Sequence, residues 1–207
     1  LDINERSKHL EKKGKKIYKF GLGQSPFPVP KIIVNELKKQ SHQKDYLNVS
    51  GLEKLRRVVA KYHTKKNRYT YSHDNVLIGP GSKELIFQTQ LILSCDLLLP
   101  SPSWVSYEPQ ANILNKKTIW VRTKKENKWH LTAEDLEKIC KKTKTKKLLI
   151  LNSPNNPSGT SNDYLKQIAR VAKKYKIIVI ADEIYAELDF SGSYKSLTHY
   201  YPDGTII

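Results

Sequence analysis

Three stretches of this chain, LLL (97–99), LLIL (148–151) and IIVIA (177–181), are apolar at every position rather than at every second one. A strand with one wet face alternates. Strands like these must be covered on both faces, which confines them to the interior of a mainly parallel sheet. The segments between them carry the helical period. SKELIFQTQLIL (82–93), WVSYEPQANIL (104–114), TAEDLEKICKK (132–142) and SNDYLKQIARVAKKY (161–175) read as helices, with Thr132 placed to cap the third. NVLIG (75–79) and KTIWVRT (117–123) read as further strands. Strand and helix alternate, so the expected fold is an α/β three-layer sandwich around a mainly parallel central sheet. Ahead of it lie a polar helix or arm (1–16) and an extended segment entering a Gly/Pro-rich loop (16–30). A helix over 30–42 comes after them, with Pro30 as its first residue. Next comes an amphipathic helix over 52–67 that puts Leu52, Leu55, Val58, Val59 and Tyr62 on one face.

Such a sheet binds ligands outside the carboxyl ends of its strands. Those ends are residues 79–83, 100–104, 151–160 and 182–185, each rich in polar or conformationally special side chains. In GPGSKEL, the backbone N–H groups of Gly81, Ser82 and Lys83 at a helix start make either an ordinary turn or an anion nest. Trp104, after a Pro-Ser-Pro-Ser run, is either a core aromatic or a platform for a planar ring. Asp182 ends a buried strand, where a carboxylate needs a partner. It either caps the next helix with Glu183 solvated, holds Mg²⁺ together with Glu183, or pairs with the protonated nitrogen of an aromatic heterocycle, with the Tyr185 phenol close by. In NSPNNPSGT (152–160), prolines and a glycine stiffen a loop; Asn152 and Asn155 read as satisfying its backbone.

Composition narrows the classes. With 38% hydrophobic and 9% aromatic residues in 207, the chain can bury a real core. Its longest apolar run, 91–100, is interrupted by Ser94, Cys95 and Asp96, too short and too polar to span a membrane. The charged start LDINERSKHLEKKGKK does not resemble a secretory leader. Cys95 and Cys140, far apart and without metal-site spacing, read as free thiols in a reducing compartment, by default the cytoplasm. The net charge of +17 comes mostly from lysine clusters spread over helix ends and loops. Without a recognisable base-reading module, it reads as a solvated surface rather than a nucleic-acid interface.

Taken in order, GLGQSPFPVP, DYLNVSGLEKLRR, GPGSKELIF, PSPSWVSYEP, NSPNNPSGT and ADEIYAEL resemble the fold type I, pyridoxal phosphate-dependent class I/II aminotransferases. The resemblance covers almost the whole chain. It implies a three-layer transferase fold, with residues 1–44 as an N-terminal arm and part of a small domain and 45–207 as the N-terminal portion of the large cofactor domain. It implies pyridoxal 5'-phosphate as cofactor, with Gly81, Ser82 and Lys83 around its phosphate and Trp104 on its ring. Asn156 and Tyr185 would meet the phenolic oxygen and Asp182 the ring nitrogen. Gly23 would lie beside the substrate. Tyr46 would reach the phosphate in the other subunit of a homodimer. The implied reaction moves an amino group from an L-amino acid to a 2-oxo acid. A lyase or synthase on the same scaffold, a non-catalytic remnant and a basic interaction protein are the alternatives. The family's Schiff-base lysine belongs in a Ser/Thr-x-x-Lys-type segment well after Tyr185, whereas the sequence stops at YYPDGTII (200–207). Lys195 lies too early for that place. The resemblance thus implies a chain ending before that lysine, inactive by itself.

Overall fold

The computed structural model describes residues 2–20, 23, 25–67 and 69–207. They divide into two compact units, Leu1–Tyr46 and Leu47–Ile207. The first unit holds α1 (Asp2–Lys12) and α2 (Lys31–Gln40). No residue of α2 is buried, and Ile32, Ile33 and Leu37 all face solvent. Pro30 stands at the cap of α2 and does not open the helix: its ψ of 137° is extended, and helical backbone starts one residue later.

The second unit contains α3 (Glu53–Asn67), α4 (Ser82–Ile92), β1 (Asp96–Ser101), α5 (Tyr107–Ile113) and β2 (Thr118–Arg122). After these come α6 (Ala133–Lys142), β3 (Lys147–Asn152), α7 (Leu165–Lys174), β4 (Ile178–Asp182) and β5 (Thr205–Ile206). The strands form one sheet in the order β2-β1-β3-β4-β5, and every ladder is parallel. Side chains alternate across a strand, so the uniformly apolar strands feed two cores. Leu98, Leu149, Leu151, Val179 and Ala181 meet α6 and α7. Leu97, Leu99, Leu148, Ile150 and Ile180 face the other way, toward α4 and α5. This is the expected three-layer sandwich.

The helices on the first face are well specified locally. Thr132 Oγ1 accepts the Asp135 N–H at 3.2 Å, acids occupy the first turn of α6 and lysines its last, so cap and macrodipole agree. In α7, Leu165, Ile168, Ala169, Val171 and Ala172 are buried, a stripe at helical spacing. Sequence and structure part at residues 76–79 and along α3. Residues 76–79 make no ladder: an apolar run becomes a strand only beside a partner, and here the Val76 N–H bonds His73 O at 3.2 Å and the Ile78 N–H bonds Ser50 O at 3.0 Å. On α3 the apolar face is solvent-exposed at Leu52, Leu55, Val58 and Tyr62, and the buried residues are Arg56, Ala60 and Asn67. Among the described residues no helix is long and apolar enough to cross a membrane.

Candidate functional site

Because all ladders are parallel, β1, β3 and β4 end on one edge, and the register sets Asn152 beside Asp182. Asn152 is the knot between the two strand ends. Its Nδ2 donates to the Asp182 carbonyl at 2.9 Å, and its Oδ1 accepts the Asn156 N–H at 2.7 Å. Asn155 turns the loop by accepting from the Ser158 N–H (3.1 Å) and Oγ (2.9 Å). Gly159, at φ +70°, closes the turn in a conformation that favours glycine. Asn152 and Asn155 thus satisfy backbone, as their setting in the sequence suggests, and the loop delivers Asn156 to the edge.

Strand parity puts Asp182 in line with Ile178 and Ile180, on the α4/α5 side. There it meets Tyr107, whose side chain is 0% exposed and whose hydroxyl donates to Asp182 Oδ2 at 2.5 Å. Burial first, then the Asp182 charge, with a smaller push from the neighbouring Tyr185 phenol, hold the Tyr107 pKa far above that of an ordinary phenol. Tyr107 therefore remains a donor throughout the working pH range, and it orients the acid. Nothing in the sequence reading singled it out. The available signal was its place three residues after Trp104, at the start of a helix following a strand end.

Trp104 packs edge-to-face on Tyr107, centroids 5.2 Å apart at 76°. The Lys83 ammonium sits over the indole, 5.3 Å from its centroid. Lys83 belongs to the first turn of α4, where Ser82, Lys83 and Glu84 have N–H groups with no intrahelical acceptor; the first helical bond runs from Leu85 N–H to Gly81 O. Gly81, expected among the anion donors, gives its N–H to Gly79 O at 2.8 Å. It takes φ +99° and ψ 152°, backbone that an L side chain rarely adopts, with open space where a Cβ would be. The donors left for an anion are those of Ser82 onward.

A second polar layer lies behind the strand ends, built on Glu183, which is half-buried and hydrogen-bonded rather than solvated. Glu183 accepts from Ser196 Oγ (2.8 Å) and Leu197 N–H (3.1 Å). Burial raises its pKa, and those donors oppose the rise. Tyr194 donates to the Ser153 carbonyl at 2.7 Å, tying the 153–160 loop to this layer. On the α4 side of Asp182 a groove of about 370 Å³ opens, lined by Ser82, Leu85, Thr89, Ile180 and Asp182 among others. At its mouth Tyr62 and Lys66 both bond Glu187.

The second unit thus gathers Ser82, Lys83, Trp104, Asn156, Asp182 and Tyr185 around the carboxyl edge. Gly23 and Tyr46 lie in the first unit, Gly23 exposed and with open space around it, Tyr46 fully exposed. Among the described residues no cluster of His, Cys, Asp and Glu is placed to hold a metal ion.

Comparison with known proteins bears on this constellation. The family described as aminotransferase class I and II matches residues 15–202. An asparagine–oxo-acid transaminase of Streptococcus mutans is 30% identical over 201 residues, covering 93% of this chain and 51% of that protein. A probable aspartate/prephenate aminotransferase of Aquifex aeolicus is 32% identical over 193 residues, covering 89% and 48%. Among solved structures, an aspartate aminotransferase from Thermotoga maritima superposes with a TM-score of 0.86 at 28% identity, covering 96% of this chain and 54% of that one. The chain spans about half the length of the curated relatives it matches.

Proposed function

The chain belongs to the class I and II aminotransferase family, and from that premise we propose that its strand-end residues form a pyridoxal 5'-phosphate pocket in an enzyme that transfers an amino group from an L-amino acid to a 2-oxo acid. The observation that carries this reading is the Tyr107-oriented Asp182, brought to the same edge as Trp104 and the donor-rich first turn of α4. The donor set fits the cofactor's chemistry. An oriented carboxylate suits a pyridinium nitrogen, a half-buried indole suits a planar ring, and first-turn N–H groups with Ser82 Oγ and the Lys83 ammonium suit a phosphate.

When bound, pyridoxal 5'-phosphate supplies the electron sink that stabilises negative charge at the substrate Cα. The chain's own residues bind and orient. Asp182 keeps a proton on the ring nitrogen, Asn156 and Tyr185 hydrogen-bond the phenolic oxygen, and Trp104 covers one ring face. Gly81 shapes the turn that lets Ser82 and Lys83 approach the phosphate. The backbone at Gly23 lies beside the substrate. We assign Tyr46 to the phosphate of the partner subunit's cofactor in a homodimer, a reading supported by a phenol 105% exposed on its own chain. Residues 1–44 are then an arm and part of a small domain, with 45–207 in the cofactor domain. The free Cys95 and Cys140 support work in the cytoplasm.

The relatives named above are transaminases of asparagine, aspartate or prephenate, which supports a dicarboxylic or related amino donor. The test is an amino-transfer assay on the full-length gene product with the cofactor added, offering L-aspartate, L-asparagine, L-alanine and L-phenylalanine against 2-oxoglutarate. Formation of the matching 2-oxo acid from aspartate or asparagine, abolished by Asp182→Ala, is expected. No transfer from any donor by a protein that has bound the cofactor overturns the assignment.

A further inference from the structure

Trp104, Tyr107 and Gln110 recur every third residue, and each reaches the candidate site or its support. Trp104 lies under the Lys83 ammonium, Tyr107 holds Asp182, and Gln110 Nε2 donates to the Lys83 carbonyl at 2.9 Å. Gln110 is buried, and its Oε1 accepts from Gln90 Nε2 at 3.0 Å. Gln90, 0% exposed, sits two turns further along α4. One amide on α5 thus grips α4 at both levels. The amide orientation comes from chemistry: a carbonyl only accepts, so Gln110 must turn its NH₂ to Lys83 and its oxygen to Gln90. Gln90 Oε1 has no hydrogen-bond partner among the described residues.

A buried amide pair is a poor device for stability alone, because two apolar side chains of similar size serve a core about as well. What the pair adds is direction. It fixes how far α4 is rotated and advanced against α5, the helix that also orients Asp182. A ligand with a ring nitrogen at one end and a phosphate at the other needs those two anchors at a set separation. Resting on the cofactor reading above, we propose that Gln110, backed by Gln90, is a positioning residue that holds the phosphate-binding first turn of α4 in register with Asp182.

The experiment compares pyridoxine 5'-phosphate with pyridoxine on the full-length protein by tryptophan fluorescence titration. Neither carries an aldehyde, so both report non-covalent binding, and they differ only in the phosphate. Changing both partners together, Q90L/Q110L, removes the amide pair without orphaning either side chain. The phosphorylated ligand is expected to bind about 3- to 10-fold more weakly, the scale of ordering a contact that was held in place beforehand, with pyridoxine unchanged. Should the double variant fail to fold, Gln110→Met with Gln90 intact is read by the same comparison. Equal loss for both ligands, or no loss for either, overturns the positioning role and leaves the cofactor reading standing. Failure of the unaltered protein to bind pyridoxine 5'-phosphate instead removes the cofactor reading, and this inference with it.

Discussion

At its carboxyl edge one face of the sheet stays apolar and packed, while the other turns polar. Against α6 and α7, β1 and β3 begin with the charged Asp96 and Lys147, but from there the side chains of β1, β3 and β4 are apolar to the carboxyl ends, and Leu136, Ile168 and Ala172 close over them with 0% exposure. Against α4 and α5, the row Ile178, Ile180, Asp182 runs from hydrocarbon into a carboxylate, and α5 answers with a phenol and an amide. The same strands serve both faces, separated by a shift of one residue. Parity is therefore what gives one side an apolar edge and the other a polar one.

The largest effect that tests this contrast is Ile168→Ala. It should cost about 2–5 kcal/mol, as a cavity in a closed core does, whereas Ile184→Ala, at a residue 63% exposed beside the groove, should fall within about 0.5 kcal/mol. Denaturant midpoints of the two variants compare them directly; similar losses would mean that the second face is as tightly closed as the first. Tyr107→Phe should cost about 1–3 kcal/mol by leaving Asp182 without its buried donor, and a change no larger than that of a surface substitution would demote the pair to a passing contact. Thr132→Ala, which removes the α6 cap, should cost about 1 kcal/mol while leaving cofactor affinity unchanged.

The smallest effect is a slope. Burial raises the Glu183 pKa in the folded chain, so the folded state holds that proton in a range where the unfolded chain has released it. The stability this group contributes is present below the unfolded value of about 4.5 and is lost as pH rises through the folded pKa. Glu183→Gln should flatten the pH dependence of the melting temperature above pH 4.5 relative to the unaltered protein. Parallel curves would show that the carboxyl is wetter than its surroundings imply.

Much of this contrast was legible beforehand, for identifiable reasons. Uniformly apolar strands declare burial on both faces, and polar clusters after them mark the carboxyl edge; Asp182 and Trp104 stand out that way, while Asn156 comes only from the resemblance of NSPNNPSGT to the family. Tyr107 was not, because its partner is 75 residues away and its own segment reads as an ordinary amphipathic helix. Tyr194 and Ser153 are hidden by the same long-range pairing, 41 residues apart. The reading of NVLIG as a strand failed for the opposite reason. Composition reports a capacity for pairing, and the partner that would realise it is a property of the fold.

The most direct test of the central claim is an equilibrium titration of the full-length protein with pyridoxal 5'-phosphate, run beside Asp182→Ala. Saturable binding at one site per chain is expected, strongly weakened in a variant whose circular dichroism shows it folded. Binding that is absent, or equally tight without the Asp182 carboxylate, would contradict the claim.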